Sequence, residues 1–221
     1  MGTKSKNMKF TDLKDMLKQT GEAYGERPAF MFKTDKAGEF RTMTHKAFRD
    51  EINALGTALV KMGLKDKRIA VISENRYEWE LAYLSVVTGT GVVVPLDKAL
   101  QIDEIESLII RSEAEAIFYS SKYNEFMQTI QKNGKSKLKY FISMDLEKND
   151  FNKFSQKEII QKGKELLEQG NKEFINAEMK GKYSLYDIAG HFDSPESDSS
   201  RLWRSILRRL IDQGTVPPPR H

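Results

Sequence analysis

The first stretch of this sequence with residue types suited to chemistry is TGTGVVVPLD, from Thr88 to Asp97. A phosphate-binding loop has the pattern G-x-x-x-x-G-K-[S/T] between a strand and a helix, so that backbone N–H groups and the helix dipole meet the phosphate. Here the glycines follow a predicted helix, precede a predicted strand and have no lysine directly after them. Val94 also replaces the last glycine of the dinucleotide-binding fingerprint. We therefore predict a structural turn that leads into a buried strand.

Other residue types that carry chemistry are absent or scattered. The chain has no cysteine, which excludes disulfides, thiolate nucleophiles and zinc–thiolate sites and fits a reducing compartment. His45, His191 and His221 lack the spacing of metal ligands. Lys98 follows a predicted strand but fits no catalytic lysine pattern. We therefore assign no catalytic, cofactor-binding or metal-binding residue to this chain.

One group of residues combines aromatic rings with a cation, namely Arg76, Tyr77, Trp79 and Tyr83. The rings could stack on a ligand, and the arginine could bind a carboxylate or phosphate. In the competing interpretation, Trp79 and Tyr83 lie four residues apart on the buried face of a helix, and Arg76 occupies its solvated first turn. The helical spacing favours this second interpretation.

The C-terminal stretch SSRLWRSILRRLIDQG predicts a basic amphipathic helix, capped by Ser199 or Ser200 and ended by Gly214 and the prolines after it. One face carries the apolar residues Leu202, Trp203, Ile206, Leu207, Leu210 and Ile211, and the other carries Arg201, Arg204, Arg208 and Arg209. Such a helix could lie on an anionic membrane, fit the groove of a protein partner, or pack back on the preceding domain. An unrelated sequence joined to a truncated gene is a further explanation.

Composition indicates a cytoplasmic chain without a signal peptide or membrane span, because 39% of its 221 residues are hydrophobic and no long apolar run occurs. The net charge of +4 comes from 36 basic and 32 acidic residues that are mixed along the chain, which argues against nucleic-acid binding. No lysine follows Lys182, whereas prolines, serines and arginines become frequent. We predict an α/β domain over 1–180, a linker over 181–200 and the tail helix with its Pro-rich end over 201–221.

Within the first part, hydrophobic patterns predict a helix capped by Thr11 and a hairpin formed by PAFMF and EFRTM. The turn of that hairpin falls at Lys36 to Gly38. A longer amphipathic helix, THKAFRDEINALGTALVKMG, follows and ends at Gly63.

Four short apolar strands, RIAVIS, VVVPL, EAIFYS and LKYFIS, alternate with predicted helices. Asn75 is the expected cap of the first of these helices and Asp103 of the second. This alternation predicts a Rossmann-like open, mainly parallel sheet with crossover helices. Val71, Leu84, Val93 and Ile117 should be buried in it, so that Val93→Asp destabilises the fold strongly. A surface helix capped by Ser155 and a solvated turn over 131–140 complete the prediction.

From MTHKAFRD to VVVPLD, the order of motifs resembles the amino-terminal region of the adenylate-forming, acyl-CoA synthetase superfamily. The shared features are a threonine-capped helix, the strand RIAVI, an asparagine followed by the pair Glu78–Trp79, and GVVVPL. Trp79 in this position is similar to the long-chain fatty acid CoA ligase branch. The resemblance covers roughly residues 8–178, and the fold it implies is an incomplete N-terminal subdomain of such an enzyme.

The resemblance implies that the complete enzyme converts ATP and a fatty acid or other carboxylate into an acyl-adenylate, which coenzyme A then attacks, with magnesium assisting. It also implies a loop close to T-S-G-T-T-G-x-P-K-G, a ribose-binding aspartate and a lysine-bearing C-terminal domain. None of these motifs occurs in the 221 residues. No family catalytic residue can therefore be assigned to a position here, and we expect this chain to bind no ATP, magnesium or coenzyme A.

Two functional interpretations remain open. In the first, the chain is the N-terminal part of an ATP-dependent long-chain fatty acid CoA ligase, cut before the ATP loop and inactive alone. In the second, it is a non-catalytic binding module that attaches to a membrane surface or a protein through residues 201–211. A second chain that completes the enzyme is a third, lesser option, and an exposed sheet edge predicts a homo-oligomer.

Overall fold

The computed structural model describes residues 8–33 and 39–177, which fold around a parallel sheet. The strands are β1 (Pro28–Lys33), β2 (Phe40–Thr44), β3 (Arg68–Ile72), β4 (Val92–Pro95), β5 (Ala116–Tyr119), β6 (Tyr140–Ser143) and β7 (Phe154–Ser155). The helices are α1 (Leu13–Ala23), α2 (His45–Leu59), α3 (Tyr77–Ser85), α4 (Ile102–Ser112), α5 (Asn124–Asn133), α6 (Gln156–Glu168) and α7 (Glu173–Asn176). None of these helices is long and apolar enough to cross a bilayer.

The main sheet has five strands in the order β4-β3-β5-β6-β7, and all neighbouring pairs are parallel. Helices connect the first four of these strands, as parallel pairing requires. This confirms the predicted α/β fold with an open parallel sheet. The sequence did not predict β7, which contributes only two residues beside β6. The predicted hairpin is also confirmed, because β1 and β2 pair antiparallel, while its turn at Lys36 to Gly38 lies outside the described residues.

Helices cover both faces of the sheet, which explains why its strands read as continuous apolar runs. On one face, Ile69 and Val71 of β3 pack in the cluster that includes α2, α3 and α6. On the other face, Ala70 and Ile72 pack in the cluster that includes α4 and α5. Successive residues of one strand therefore belong to two separate hydrophobic clusters.

Helix starts differ from the sequence prediction in the first helix. Asp12, not Thr11, is the cap of α1, because its Oδ1 accepts a hydrogen bond of 2.8 Å from the Asp15 N–H. The backbone N–H of Thr11 donates instead to the Asp15 carboxylate at 3.0 Å. Both residue types can cap a helix, so the sequence alone could not choose between neighbours.

The two predicted caps in the parallel unit are also wrong. Asn75 lies one residue too early, since Arg76 is the residue before α3 and makes no side-chain cap. Asp103 lies inside the first turn of α4, where the side chain of Glu104 accepts a hydrogen bond of 2.9 Å from the Gln101 N–H. By contrast, the prediction for α6 is confirmed, because the Ser155 hydroxyl accepts from the Glu158 N–H.

Helix α2 is the element on which most others pack. It contacts α1, α3, α6 and α7. Its described extension over Val60–Leu64 ends the helical stretch with Gly63 at a φ of +83°, which confirms the predicted stop. Where α6 crosses α2, a Cβ at Gly163 would lie 1.8 Å from the carbonyl oxygen of Ala54, so only glycine fits this crossing.

Burial agrees with most of the predicted core. Val71, Leu84 and Ile117 are buried. Val93, in contrast, is only partly buried, because its strand β4 is the outermost strand of the sheet in the part of the chain that the structure describes. The predicted oligomerisation through a sheet edge stays a prediction. The predicted linker over 181–200 and tail helix over 201–221 lie outside the described residues.

Glu80 is an acid of α3 that packing separates from water. Within residues 8–33 and 39–177 its side chain makes no ion pair or hydrogen bond, and its burial raises the pKa of its carboxyl group to about 7. The neutral carboxyl is therefore favoured in the folded state below about pH 7.

We expect a buried aspartate in β3 to destabilise the fold more than one in β4. Val71→Asp places an unpaired charge in the core and should lower the free energy of unfolding by about 3–5 kcal/mol. Val93→Asp replaces a half-buried side chain and should cost about 1–2 kcal/mol. Urea denaturation followed by circular dichroism measures both. Equal losses would contradict the assignment of β4 to the edge.

We expect Glu80 to make stability depend on pH. Its pKa in the unfolded chain is about 4.3, so between about pH 4.5 and 7 the folded protein holds a proton that the unfolded chain has released. Stability should fall as the pH rises through that window. Glu80→Gln removes the effect and should be more stable than the parent by about 2 kcal/mol above pH 7, with little difference below pH ~4.5. Glu22→Gln, on the exposed face of α1, is the control, and a gain independent of pH would rule out this role.

Candidate functional site at the carboxyl edge of the sheet

The order of the strands places a natural crevice at the carboxyl ends of β3 and β5. After β3 the chain adds β4 on one side, and it then crosses to add β5 on the other side. In open α/β sheets, ligands bind outside the carboxyl ends of the strands at such a reversal. The residues that follow β3, β5 and β6 therefore line the first candidate site.

An ion-pair cluster around Arg76 occupies this edge. The Arg76 guanidinium Nη1 lies 2.6 Å from Asp145 Oδ1, and its Nε lies 2.7 Å from Glu78 Oε2. Glu74 is a more distant third partner, at 3.8 Å from Nη1. The cluster connects the loops after β3 and β6, so one arginine holds together the ends of strands that are not neighbours.

Hydrogen bonds from the loop after β5 complete the cluster. The Ser120 hydroxyl donates to Glu74 Oε2 at 2.8 Å. The backbone N–H of Ser121 donates to Asp145 Oδ2 at 2.6 Å. Loops after three of the parallel strands therefore meet in one network, and it fixes the positions of the carboxylates.

The electrostatics of the cluster keep its members charged. Burial works against the charge of Arg76, but the hydrogen bonds and charges of Glu78 and Asp145 outweigh it and raise the pKa of the guanidinium. Burial likewise opposes ionisation of Asp145, yet the Ser121 N–H and the Arg76 guanidinium together lower the pKa of its carboxyl. Arg76 thus balances the charge of the carboxylates that it contacts. It was predicted in a solvated first turn, but it is half-buried and ion-paired.

The helix N-termini at this edge also disfavour a phosphate. The first turns of these helices carry Glu78 and Glu80 in α3, Asp103 and Glu104 in α4, and Glu125 in α5. Acidic side chains stabilise the positive end of a helix dipole and repel a phosphate from the same position. The acids in these first turns should therefore weaken binding of an anion such as a phosphate by these helix N-termini. Across 8–33 and 39–177, no group of three or more acidic or histidine side chains is placed to hold a metal ion.

The predicted structural turn at Thr88 to Gly91 is confirmed, but the strand that it enters, β4, is only partly buried. The hydroxyls of Thr88 and Thr90 are buried and donate to the carbonyl oxygens of Leu84 and Ser85, at 2.7 and 2.8 Å. A Cβ at Gly91 would lie 2.2 Å from the Lys67 carbonyl oxygen, so a glycine is needed where the chain enters β4. Both threonine hydroxyls donate to carbonyl oxygens at the end of α3, so these donors are not available to an anion.

The other glycine of this stretch, Gly89, receives the ring of Phe174. A Cβ there would lie 3.1 Å from the Phe174 ring, and a Cβ at Gly56 of α2 would lie 2.2 Å from it. Phe174 belongs to α7 and is fully buried. Two glycines that are 33 positions apart in sequence therefore form a slot for one aromatic ring.

Lys14 holds the same segment from the side of α1. Its Nζ donates to the carbonyl oxygens of Phe174 and Ala177, at 2.7 and 2.6 Å, and lies 5.1 Å from the centroid of the Phe174 ring. Burial lowers the pKa of Lys14, with Asp12 opposing that effect. A cavity of about 610 Å³ adjoins these contacts, lined by residues of α1 and α2 together with Thr88 and Ala177.

The aromatic group of α3 packs on the protein itself. Tyr83 is buried and stacks on the half-buried Trp79 with ring centroids 5.2 Å apart, which confirms the predicted helix-face interpretation. The Tyr77 hydroxyl donates to Glu51 Oε2 at 2.8 Å. Its ring contacts the rings of Phe30, Phe32 and Phe48. The group thus joins the hairpin to α2 and α3.

The remaining candidates are far from this cluster or at its periphery. Lys98 follows β4, and its Nζ lies 3.5 Å from Asn75 Oδ1. His45 opens α2 beside Tyr24, and burial lowers the pKa of its imidazole. His191 and His221 lie outside the described residues.

The sequence did not reveal the pairing of Arg76 with Asp145 or of Lys14 with Phe174. These pairs are 69 and 160 residues apart. The one available signal for the first pair was that Arg76 and Asp145 each follow a predicted strand.

Comparison with known proteins identifies the relatives of this chain. Residues 17–182 match the family of AMP-binding enzymes. The fatty acyl-CoA synthetase A of Dictyostelium discoideum is 32% identical over 88 residues, which cover 39% of this chain and 13% of that protein. The 4-hydroxybutyrate–CoA ligase 2 of Metallosphaera sedula is 20% identical over 173 residues, which cover 78% of this chain and 30% of that protein. The chain thus spans less than a third of these relatives.

Solved structures show the same fold. A long-chain-fatty-acid-CoA ligase from Archaeoglobus fulgidus superposes with a TM-score of 0.58 and 18% identity, covering 73% of this chain and 33% of that one. The adenylation domain of a carboxylate reductase from Mycobacterium chelonae gives a TM-score of 0.59 and 15% identity, covering 73% of this chain and 30% of that one. The family match extends from within α1 past α7, well over half of the 221 residues, and this chain therefore belongs to the AMP-binding enzyme family of adenylate-forming acyl-CoA ligases.

Proposed function

We propose that this chain is the N-terminal α/β part of an ATP-dependent long-chain fatty acid CoA ligase and that it does not form acyl-adenylates alone. The family match over residues 17–182 carries this proposal. The similarity to a fatty acyl-CoA synthetase supports a fatty acid as the substrate of the complete enzyme. Trp79, which resembles the long-chain branch, points in the same direction.

The reaction explains why the chain alone is expected to be inactive. A carboxylate oxygen attacks the α-phosphorus of ATP and pyrophosphate leaves, after which the thiolate of coenzyme A attacks the acyl carbon and AMP leaves. The first step needs donors around the phosphates, a lysine near the developing charge and an acid that holds magnesium. The glycine-rich loop with its lysine is missing from the 221 residues. The acidic helix N-termini at the sheet edge support the expectation that the described part does not replace it.

What the chain supplies to the complete enzyme is a fixed starting point for that loop. In the family, the loop soon follows the position of FINAE, residues 174–178. Here Phe174 fills the slot formed by Gly56 and Gly89, and Lys14 binds the carbonyl oxygens on either side of Ile175. We infer that these contacts set the position from which the following residues leave the fold.

A second candidate function rests on the tail sequence. The sequence predicts that residues 201–211 form a helix with one apolar and one arginine-rich face, and the chain would then use its α/β domain as a scaffold for this helix. Such a helix binds to an anionic membrane or to a groove on a partner protein. This would make the chain a cytoplasmic protein that attaches peripherally to a membrane.

The proposal predicts no carboxylate-dependent exchange of pyrophosphate into ATP. Purified chain, ATP, magnesium and fatty acids of short to long chain length should give no exchange above a heat-denatured sample. The Metallosphaera sedula ligase with 4-hydroxybutyrate is the positive control. Exchange that requires both the chain and a carboxylate would overturn the proposed inactivity.

Reading the native coding DNA beyond Glu178 in all three frames tests the ligase assignment. A loop of the T-S-G-T-T-G type supports the assignment, and the absence of such a loop rejects it.

The second candidate predicts binding that depends on the tail. Replacing Leu202, Leu207 and Leu210 with glutamate should abolish sedimentation with anionic vesicles, because the apolar face then cannot enter the lipid. The matched control replaces Lys162, Lys164 and Glu168 on the exposed face of α6 with alanine. Unchanged sedimentation of the tail variant would exclude membrane attachment through residues 201–211.

A further inference from the structure

The loop between β6 and α6 presents one aromatic side chain entirely to solvent. Phe151 is 100% exposed, and its backbone has a φ of +24°. A positive φ is unfavourable for a bulky side chain, and exposure of an aromatic ring forgoes the gain from burial. Neither feature stabilises the fold, so the position calls for another explanation.

Hydrogen bonds hold this loop in a defined shape. Asp150 and Lys153 exchange backbone hydrogen bonds across the tip. The Asn149 N–H donates to Glu158 Oε2 at 2.9 Å, and Asn149 Oδ1 accepts from the Ser155 N–H at 2.7 Å. Phe151 therefore projects from a turn that hydrogen bonds already hold in place. Binding would therefore cost little backbone conformational entropy in this turn.

The turn carries positive charge beside the ring. Lys148 is exposed and Lys153 is half-buried, and no ion pair in the described part of the chain includes either lysine. Two acids border the turn: Glu147 is ion-paired with Lys157, and Glu158 accepts the hydrogen bond from the Asn149 N–H. Asp150 is the one acid between the two lysines, while Asn149 and Asn152 are neutral. The tip is thus a lone aromatic ring flanked by two lysines, with a net charge of +1 over residues 148–153.

We propose that the turn formed by residues 148–153 inserts Phe151 into the interface of an anionic phospholipid bilayer. Aromatic side chains favour the membrane–water interface, and lysines next to them are attracted to anionic headgroups. This site is separate from the tail helix and does not depend on the ligase assignment.

A protein pocket fits these observations less well. Specific protein interfaces bury about 800 Å² on each partner around an apolar centre. The turn offers one apolar side chain among asparagines, lysines and an aspartate. A lipid interface, by contrast, needs no complementary shape and accepts a single ring with nearby cations.

Vesicle binding by the full chain gives the first test. With vesicles in which about one third of the lipid is phosphatidylserine, Phe151→Ala should weaken the partition coefficient about tenfold, since the ring loses its burial in lipid. The matched control is Phe40→Ala, which removes a phenylalanine that is 57% exposed on β2 and should change the coefficient less than twofold. Both variants and their parent are compared in a chain in which Leu202, Leu207 and Leu210 are replaced by glutamate, so that binding through the tail does not mask the contribution of the ring. Equal partition coefficients for Phe151→Ala and the parent would overturn the proposal.

A glycine variant separates binding from folding. Phe151→Gly relieves the positive φ, so its melting temperature should equal or exceed that of the parent while its vesicle binding falls as in Phe151→Ala. Parental binding by this variant would reject the proposed role of the ring.

A fluorescent label can report insertion directly, because the chain has no cysteine of its own. An environment-sensitive dye on Asn152→Cys should shift to shorter wavelength with anionic vesicles, and the same dye on Thr42→Cys should not. The shift should also shrink at high salt, as attraction by the lysines is screened. An unshifted dye at position 152 would exclude insertion of the turn, even if the tail binds the vesicle.

Discussion

The close contact of α2 with α6 and α7 is the constraint on which the rest of this structure depends. Gly163 lets α6 approach the Ala54 carbonyl, and Gly56 leaves the space that the Phe174 ring fills. Glycine in a helix interior normally weakens the helix by about 0.5–1 kcal/mol relative to alanine. Here the close packing offsets that cost, because it brings α6 and α7 onto the same helix that covers β3. Without it, the segment that leaves the sheet would have no fixed position.

The topology of the sheet also determines where acidic side chains gather. Parallel strands joined by helices bring the helix N-termini to the carboxyl edge, and the sequence places acids in their first turns. The acids stabilise the helices, but they also make this edge unsuitable for an anion. Arg76 neutralises part of the resulting negative charge and connects the loops after β3 and β6, and hydrogen bonds from Ser120 and Ser121 add the loop after β5. The crevice where many α/β proteins bind a ligand is therefore used for cohesion in the described part of this chain.

Local patterns were enough to predict the strands β3 to β6, the hairpin and the long helix α2, because apolar periodicity is a property of neighbouring residues. They failed where the answer depends on geometry between distant residues. The order of strands placed Val93 on an edge, and that order cannot be read from the apolar run VVVPL. Likewise, Arg76 and Asp145 are 69 residues apart, and their pairing depends on the successive crossover connections between β3 and β6. The prediction that Asn75 caps α3 was wrong for a similar reason, because the path of the backbone after β3 decides at which residue the helix begins.

In the stretch TGTG, residue types that are typical of phosphate-binding loops have a packing role instead. Its threonines terminate α3 through internal hydrogen bonds, and its glycines admit Phe174 on one side and the backbone of Lys67 on the other. These contacts bring together the end of α3, the start of β4 and the segment 172–177. If the proposed function is correct, the ATP-binding loop of the complete enzyme, which is missing from these 221 residues, begins just beyond the position of this junction. The glycines would then contribute to nucleotide chemistry by holding the loop's point of departure, and no contact between them and a phosphate is required.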